Sequence, residues 1–259
     1  MCEKMPNFKE YVEYEKGTIP LVISVPHGGM MECEEIPKRL TGVLGVDKGT
    51  IELTRELIKY IENIAEERNF TRFKPSYVIS NVHRSKIDLN RSKNNAHDLN
   101  SELAMLIYQY YHEKLYLLIF NNLKNFKYSL LIDIHGFESH KRPQGYRDVD
   151  LILGTNNLQS LFPTFIPKRD WNKNIRGKII KKFLELNIPI APGHQRRNEY
   201  VLKGGFTTLT YGASQIRNSQ AIQIEFSDRV RYRDMELKKI VLSSLAEVLF
   251  NEVVEGGIY

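Results

Sequence analysis

Five short runs of β-branched and apolar residues punctuate the chain: LVISV at 21–25, YVISNV at 77–82, LLIDI at 130–134, DLILG at 150–154 and AIQIEF at 221–226. Their near-continuous apolar character predicts strands covered on both faces. Between them the period lengthens to that of a helix. In DKGTIELTRELIKYIENIAEE, the residues Ile51, Leu53, Leu57, Ile58 and Ile61 fall largely on one stripe with charges opposite, and Asp47 or Thr50 is placed to start the helix. SELAMLIYQYYHEKLYLLIFNNL predicts a long aromatic-rich helix capped by Ser101 or Asn100. IRGKIIKKFLELN and MELKKIVLSSLAEVLFNEVV predict two more amphipathic helices. Strands alternating with helices imply an α/β three-layer sandwich around a central mixed, largely parallel sheet. With no internal repeat, low-complexity tract or Pro/Gly/Ser-rich linker, the reading is a single domain over 1–259.

Composition narrows the picture. Hydrophobic residues make up 42% and charged residues 26% of 259 positions, the balance of a globular protein able to bury a sizeable core. The net charge of +6 and pI near 9.1 are a mild excess that suits an anionic small substrate, a nucleic acid or simply a solvated basic face. The basic patches KRP, HQRRNEY and RVRYRD are short and broken by acids and aromatics, with no recognisable reader motif, which argues against nucleic acid. Cys2 and Cys33 are too few for a disulfide framework or zinc ribbon and fit a reducing compartment. MCEKMPNFKEYVEYEKG carries acids and lacks an apolar signal core, and no apolar run approaches membrane-spanning length. A cytoplasmic protein without a membrane partner is expected.

In an open α/β sheet, ligands collect beyond the carboxyl ends of the strands. The first predicted strand ends in His27, the second runs into HRSKIDLNR, the third ends in Asp133 and His135, and the last carries Glu225. Two imidazoles and a carboxylate leave one position open on a tetrahedral zinc ion, the arrangement of catalytic zinc. Either histidine alone reads more readily as a hydrogen-bonded turn residue; the two together at strand ends, each followed by glycine, put a ligand role level with that reading. The glycines after His27, and Gly136 after His135, are expected to allow sharp turns and keep bulk from an ion. Glu32, Glu35 and Asp47 all compete for the carboxylate position. In HRSKIDLNR, even spacing along an extended segment would put Arg84, Asp88 and Asn90 on one face, where guanidinium groups, Arg91 among them, suit an acidic substrate; an internal salt bridge at Asp88 is the alternative. Glu225, in an otherwise apolar strand, needs either a buried ionic partner or a purpose such as general-base catalysis.

The motifs PHGG, IDLNR, LIDIHG, GGFTTLTYG and QIEF, in this order over roughly residues 20–230, resemble the N-formylglutamate amidohydrolase family of the zinc carboxypeptidase and aspartoacylase-like superfamily. The resemblance implies a zinc-exopeptidase-like fold, one Zn2+ ion, and hydrolysis of an amide bond in an N-acyl, possibly N-formyl, acidic amino acid. Carried onto this sequence, it makes His27, Asp47 and His135 the metal ligands and Glu225 the general base. Arg84, Asn90 and Arg91 would hold the substrate carboxylate with Asp88 orienting them, and Gly204 and Gly205 would shape a substrate loop. Gly28 stands where the family commonly has serine or alanine. The HGG turn followed by Glu32 is closer to related hydrolases of γ-linked glutamyl polymers, which makes Glu32 the alternative ligand. A zinc peptidase or γ-glutamyl hydrolase of the same fold, or a non-catalytic anion- or nucleic-acid-binding protein, are the rival readings.

Overall fold

The computed structural model describes residues 7–141, 148–200 and 202–255; Cys2 and most of the KRP patch lie outside them. Among the described residues, seven strands form one sheet: β1 (Val12–Glu15), β2 (Leu21–Val25), β3 (Ser76–Ser80), β4 (Ser129–Phe137), β5 (Leu151–Gly154), β6 (Ile190–Ala191) and β7 (Ser219–Ser227). Their order across the sheet is β1-β3-β2-β4-β7-β5-β6. The run from β3 through β2 and β4 to β7 is parallel, whereas β1 meets β3 and β5 meets β7 antiparallel. The helices are α1 (Phe8–Tyr11), α2 (Thr50–Glu67), α3 (Lys93–Ala96), α4 (Glu102–Phe126), α5 (Ile175–Glu185), α6 (Phe206–Tyr211) and α7 (Met235–Val253).

Alternation along the strands divides the core in two. Leu21, Ile23, Leu130, Ile132, Ile222 and Ile224 pack with Leu53, Leu57 and Ile61 of α2, Ile179 and Phe183 of α5, and Leu242 and Leu245 of α7. Val22, Val78, Leu131 and Ala221 face the other way, against Ile107, Tyr111, Leu115 and Leu118 of α4. These are the three layers of a mixed α/β sandwich, and the alternation dictates where chemistry can sit. Asp133 and His135 continue the face of Leu131, while Gln223 and Glu225 continue that of Ala221, so all four lie on the α4 side. Register pairs Asp133 with Gln223 and His135 with Glu225.

Local chemistry sets the helix starts. Ser101 caps α4 by accepting a hydrogen bond from the Ala104 amide, an arrangement worth about 1 kcal/mol, and Asn174 and Asp234 do the same for α5 and α7. Helix α2 begins at Thr50, one of its two expected starts, but without a side-chain cap. Its cap is Gly49 in a left-handed conformation with no side-chain cap bond, and the Asp47 carboxylate is turned away toward the histidines. The segment after β3 differs from expectation, because residues 84–86 and 89–90 form turns instead of an extended run. Arg84 and Asp88 therefore meet across a turn, four residues apart.

Helix α4 meets α6 through an aromatic cluster that carries a titration. His112 packs among Tyr108, Tyr111, Phe206 and Tyr211, with its Nδ1 2.9 Å from the Tyr211 hydroxyl. Burial pushes its pKa down to about 4. A histidine depressed in the fold binds its proton more readily when unfolded, so stability falls as pH drops below about 6.5 and levels off near the folded value. Between pH 7 and pH 5 this linkage is worth about 2 kcal/mol. Urea unfolding at both pH values should show the His112→Gln variant losing about 2 kcal/mol less than the wild type; parallel losses would refute the linkage.

Candidate metal centre and active site

Strand β2 ends at Val25 and the chain turns at once to His27, which is fully buried. The Asp47 amide donates to the His27 carbonyl at 2.9 Å, and the Thr50 hydroxyl donates to the Asp47 carbonyl at 2.7 Å, which fixes the approach to α2 beside the turn. His135 arrives from β4. The result is a compact triangle of donor atoms. His27 Nδ1 and His135 Nδ1 are 3.2 Å apart, and Asp47 Oδ2 lies 3.2 Å from His135 Nδ1 and 3.5 Å from His27 Nδ1.

The outer faces of the rings determine what the inner faces can do. His27 Nε2 lies 2.6 Å from Asp88 Oδ1 and His135 Nε2 lies 2.9 Å from Asp133 Oδ2. A carboxylate accepts only, so each imidazole keeps its proton on Nε2 and aims an Nδ1 lone pair into the triangle. Three lone-pair atoms gathered within 3.5 Å of one another repel unless a proton or a cation lies between them. Tetrahedral zinc with bonds of about 2.0–2.1 Å requires donor atoms roughly 3.3 Å apart. Spacing, buried two-histidine, one-carboxylate chemistry and outer hydrogen bonds all fit that ion.

Electrostatics point the same way. Burial opposes a charged imidazole at His135, yet Asp133 and then Asp47 outweigh it and raise its pKa well above the ordinary range. Burial would also raise Asp47, but the facing imidazoles of His135 and His27 outweigh it and hold its carboxyl far below the usual range. At Asp88, burial is likewise outweighed by His27, Arg84 and Arg39. The pocket therefore favours positive charge at its centre.

The remaining expected residues surround this centre. Glu225 is buried, accepts a hydrogen bond on Oε1 from Gln223 Nε2 at 2.7 Å, and has its pKa raised, chiefly by burial. The Gln223 side-chain oxygen Oε1 accepts from the Gly205 backbone amide at 2.6 Å, which fixes the side-chain amide's orientation and ties the glycine loop to Glu225. Gly204 has φ +109°, a conformation that favours glycine, and a Cβ on Gly205 would lie 2.2 Å from the Asn90 amide. Asn90 accepts from the Thr207 amide at 2.8 Å and rests its Nδ2 3.2 Å from His135 Nε2. Arg84 is committed to acids inside the site, with Nε 3.2 Å from Asp88 Oδ2 and Nη1 3.6 Å from Asp47 Oδ1. Arg91 lies farther from Asp88, at 3.7 Å, with half of its side chain exposed. Glu32 stands apart from the triangle, half exposed and facing Lys38 and His83.

Sequence reasoning named Asp133 at its strand end but not its bond to His135, and it missed Gln223 and Arg39. The first two had a signal: each is a polar residue in an apolar strand, two positions before a candidate and hence on its face. Arg39 had none; it reaches Asp88 at 3.5 Å from a loop far away in sequence. The glycines also have different reasons from those expected. A Cβ on Gly28 would strike Thr50 and Ile51, and one on Gly29 would strike the backbone of Asn81 and Val82. They are small because α2 and the segment just after β3 pass so close, and neither has positive φ.

No family model matches the sequence, and no curated protein matches it. Among solved structures, the N-formylglutamate amidohydrolase from Ralstonia eutropha JMP134 superposes with a TM-score of 0.65 at 13% identity, over 95% of this chain and 99% of that one. A gene product of Agrobacterium tumefaciens superposes with a TM-score of 0.57 at 12% identity, over 95% of this chain and 94% of that one. At such identities the likeness is one of fold. The chain has the fold of an N-formylglutamate amidohydrolase, in keeping with the resemblance of its motifs.

Proposed function

We propose that the protein is a metal-dependent amidohydrolase cleaving the amide bond of an N-acyl, possibly N-formyl, acidic amino acid or a related carboxylate substrate. The observation that carries the reading is the donor triangle of His27, Asp47 and His135 with Glu225 placed beside His135 in register. A zinc ion bound there would supply a Lewis acid for the acyl carbonyl and make water a nucleophile near neutral pH.

The protein's own groups do the rest. Asp88 and Asp133 keep both ligand imidazoles in one tautomer, and Arg84 balances the outer oxygen of Asp47. Glu225 takes the proton of the attacking water on the oxygen that Gln223 leaves free and returns it to the departing nitrogen. Its raised pKa moves it toward the range where a carboxylate both accepts and returns a proton. Arg91 and Asn90 hold the substrate carboxylate, and the loop at Gly204 and Gly205 forms the adjoining wall. Arg84, fully engaged, contributes charge more than a free fork.

A panel of N-acyl amino acids and short peptides, assayed with zinc-loaded protein, tests the reading. Hydrolysis should require a free carboxylate in the substrate. Replacing Arg91 by Met should raise KM about 10–100-fold with a smaller change in kcat, the loss expected for one charge-assisted contact. Absence of turnover across the panel would instead favour a binding protein built on this fold.

A further inference from the structure

Directly after β7 the chain forms a π-helix over Arg229–Arg233, closed by a hydrogen bond from the Asp234 amide to the Arg229 carbonyl at 2.9 Å. Such wide turns are uncommon and cluster at functional sites. This one directs Arg231 into the protein, where its side chain is fully buried. Its guanidinium then donates to three separate backbone segments. Nε donates to the Phe226 carbonyl at 3.1 Å, Nη1 to the Lys48 carbonyl, and Nη2 to the Phe137 carbonyl at 2.8 Å, while Glu138 Oε1 accepts from Nη2 at 2.8 Å and balances the charge. Lys48 follows Asp47, Phe226 follows Glu225, and Phe137 lies two residues beyond His135.

We propose that Arg231 is a positioning residue whose single buried guanidinium sets the spacing among the segments that carry Asp47, His135 and Glu225. The inference rests on the metal-site reading above. A guanidinium is a rigid planar fork with five donors, so bonds to three carbonyls fix three chain segments relative to one plane; a lysine ammonium offers no such plane. Gly136 supports the arrangement. A Cβ there would lie 2.6 Å from the Arg231 guanidinium carbon and Nε, so the residue next to His135 must be glycine for the clamp to seat. The expectation that Gly136 gives room to an ion is thereby replaced by a packing reason.

Arg176 provides a matched control. It too is fully buried, but it binds Glu199 and the carbonyls of Gln195 and Arg197, away from the segments of the site. Metal-free wild type, Arg231→Lys, Gly136→Ala and Arg176→Lys would be compared by chelator-competition zinc affinity, by the visible absorption of the cobalt-substituted protein, and by melting temperature. Arg231→Lys and Gly136→Ala should weaken zinc at least tenfold and shift the cobalt bands. Arg176→Lys should lower the melting temperature while leaving affinity and spectrum at wild-type values. If Arg231→Lys does not fold, Gly136→Ala decides, since it displaces the guanidinium without removing it. Wild-type affinity and spectrum in Gly136→Ala, or equal weakening in Arg176→Lys, would overturn the positioning role alone. A wild type that binds no zinc would overturn the site reading and this role together.

Discussion

Replacing Glu225 by Gln is expected to lower kcat by roughly 10²–10⁴-fold, the usual contribution of a positioned general base, while zinc content and melting temperature stay at wild-type values. Gln has the same shape and cannot take up the proton of water. Glu225 is also outside the donor triangle, so its replacement removes no ligand atom. The substitution is gentle on the fold because burial already disfavours the carboxylate charge. Parallel measurement of metal content and single-turnover rate separates the two roles. A variant with full activity would remove Glu225 from the chemistry, and one that also lost its zinc would make it a ligand.

The second large effect is expected at the carboxylate proposed as a metal ligand. Asp47→Ala should weaken zinc more than about 100-fold, beyond the range seen when outer hydrogen-bonding partners of a metal site are lost, and should abolish hydrolysis. Glu32→Ala should leave zinc affinity within roughly the twofold scatter expected for a surface change without a metal contact. The geometry separates these candidates. Asp47 presents Oδ2 3.2 Å from His135 Nδ1, whereas Glu32 faces Lys38 and His83 with about half of its side chain in solvent. Should Glu32→Ala cost more affinity than Asp47→Ala, the γ-glutamyl hydrolase arrangement would replace the one described.

Much of this was legible because burial on both faces leaves a strong mark. All five apolar runs are strands, and the four long helical patterns are helices within a few residues of their expected ends. The missed strands carry weaker marks. In VEYE only Val12 is buried, as befits an edge strand, and Ile190–Ala191 is two residues long. Helix α6 was hidden in FTTLTY, whose threonines are poor helix formers and whose flanking glycines suggest a loop; burial of Thr207, Thr208 and Tyr211 holds it in place.

The site divides along similar lines. His27, His135 and Glu225 stand out in the sequence because each sits at or near a strand end, where topology gathers residues without detailed knowledge of packing, whereas Asp47 competes there with Glu32 and Glu35 and is picked out only by the resemblance of the motifs. Arg84 was visible as a charge but not in its engagement with Asp47 and Asp88, since the turn that brings it there leaves no period in the sequence. In the sequence, Arg231 is one of three arginines in the basic patch RVRYRD, with nothing to set it apart. Only the π-helix shows that one of its arginines points inward. Contacts between residues 88 and 27, or 231 and 48, have no local signature at all.

We propose above that the imidazoles of His27 and His135 and the carboxylate of Asp47 hold a catalytic metal. Crystals of the zinc-loaded protein, measured on both sides of the zinc absorption edge, test it most directly. One anomalous peak should appear within bonding distance of His27 Nδ1, His135 Nδ1 and Asp47 Oδ2. A peak held by other residues, or none after zinc loading, would contradict the claim.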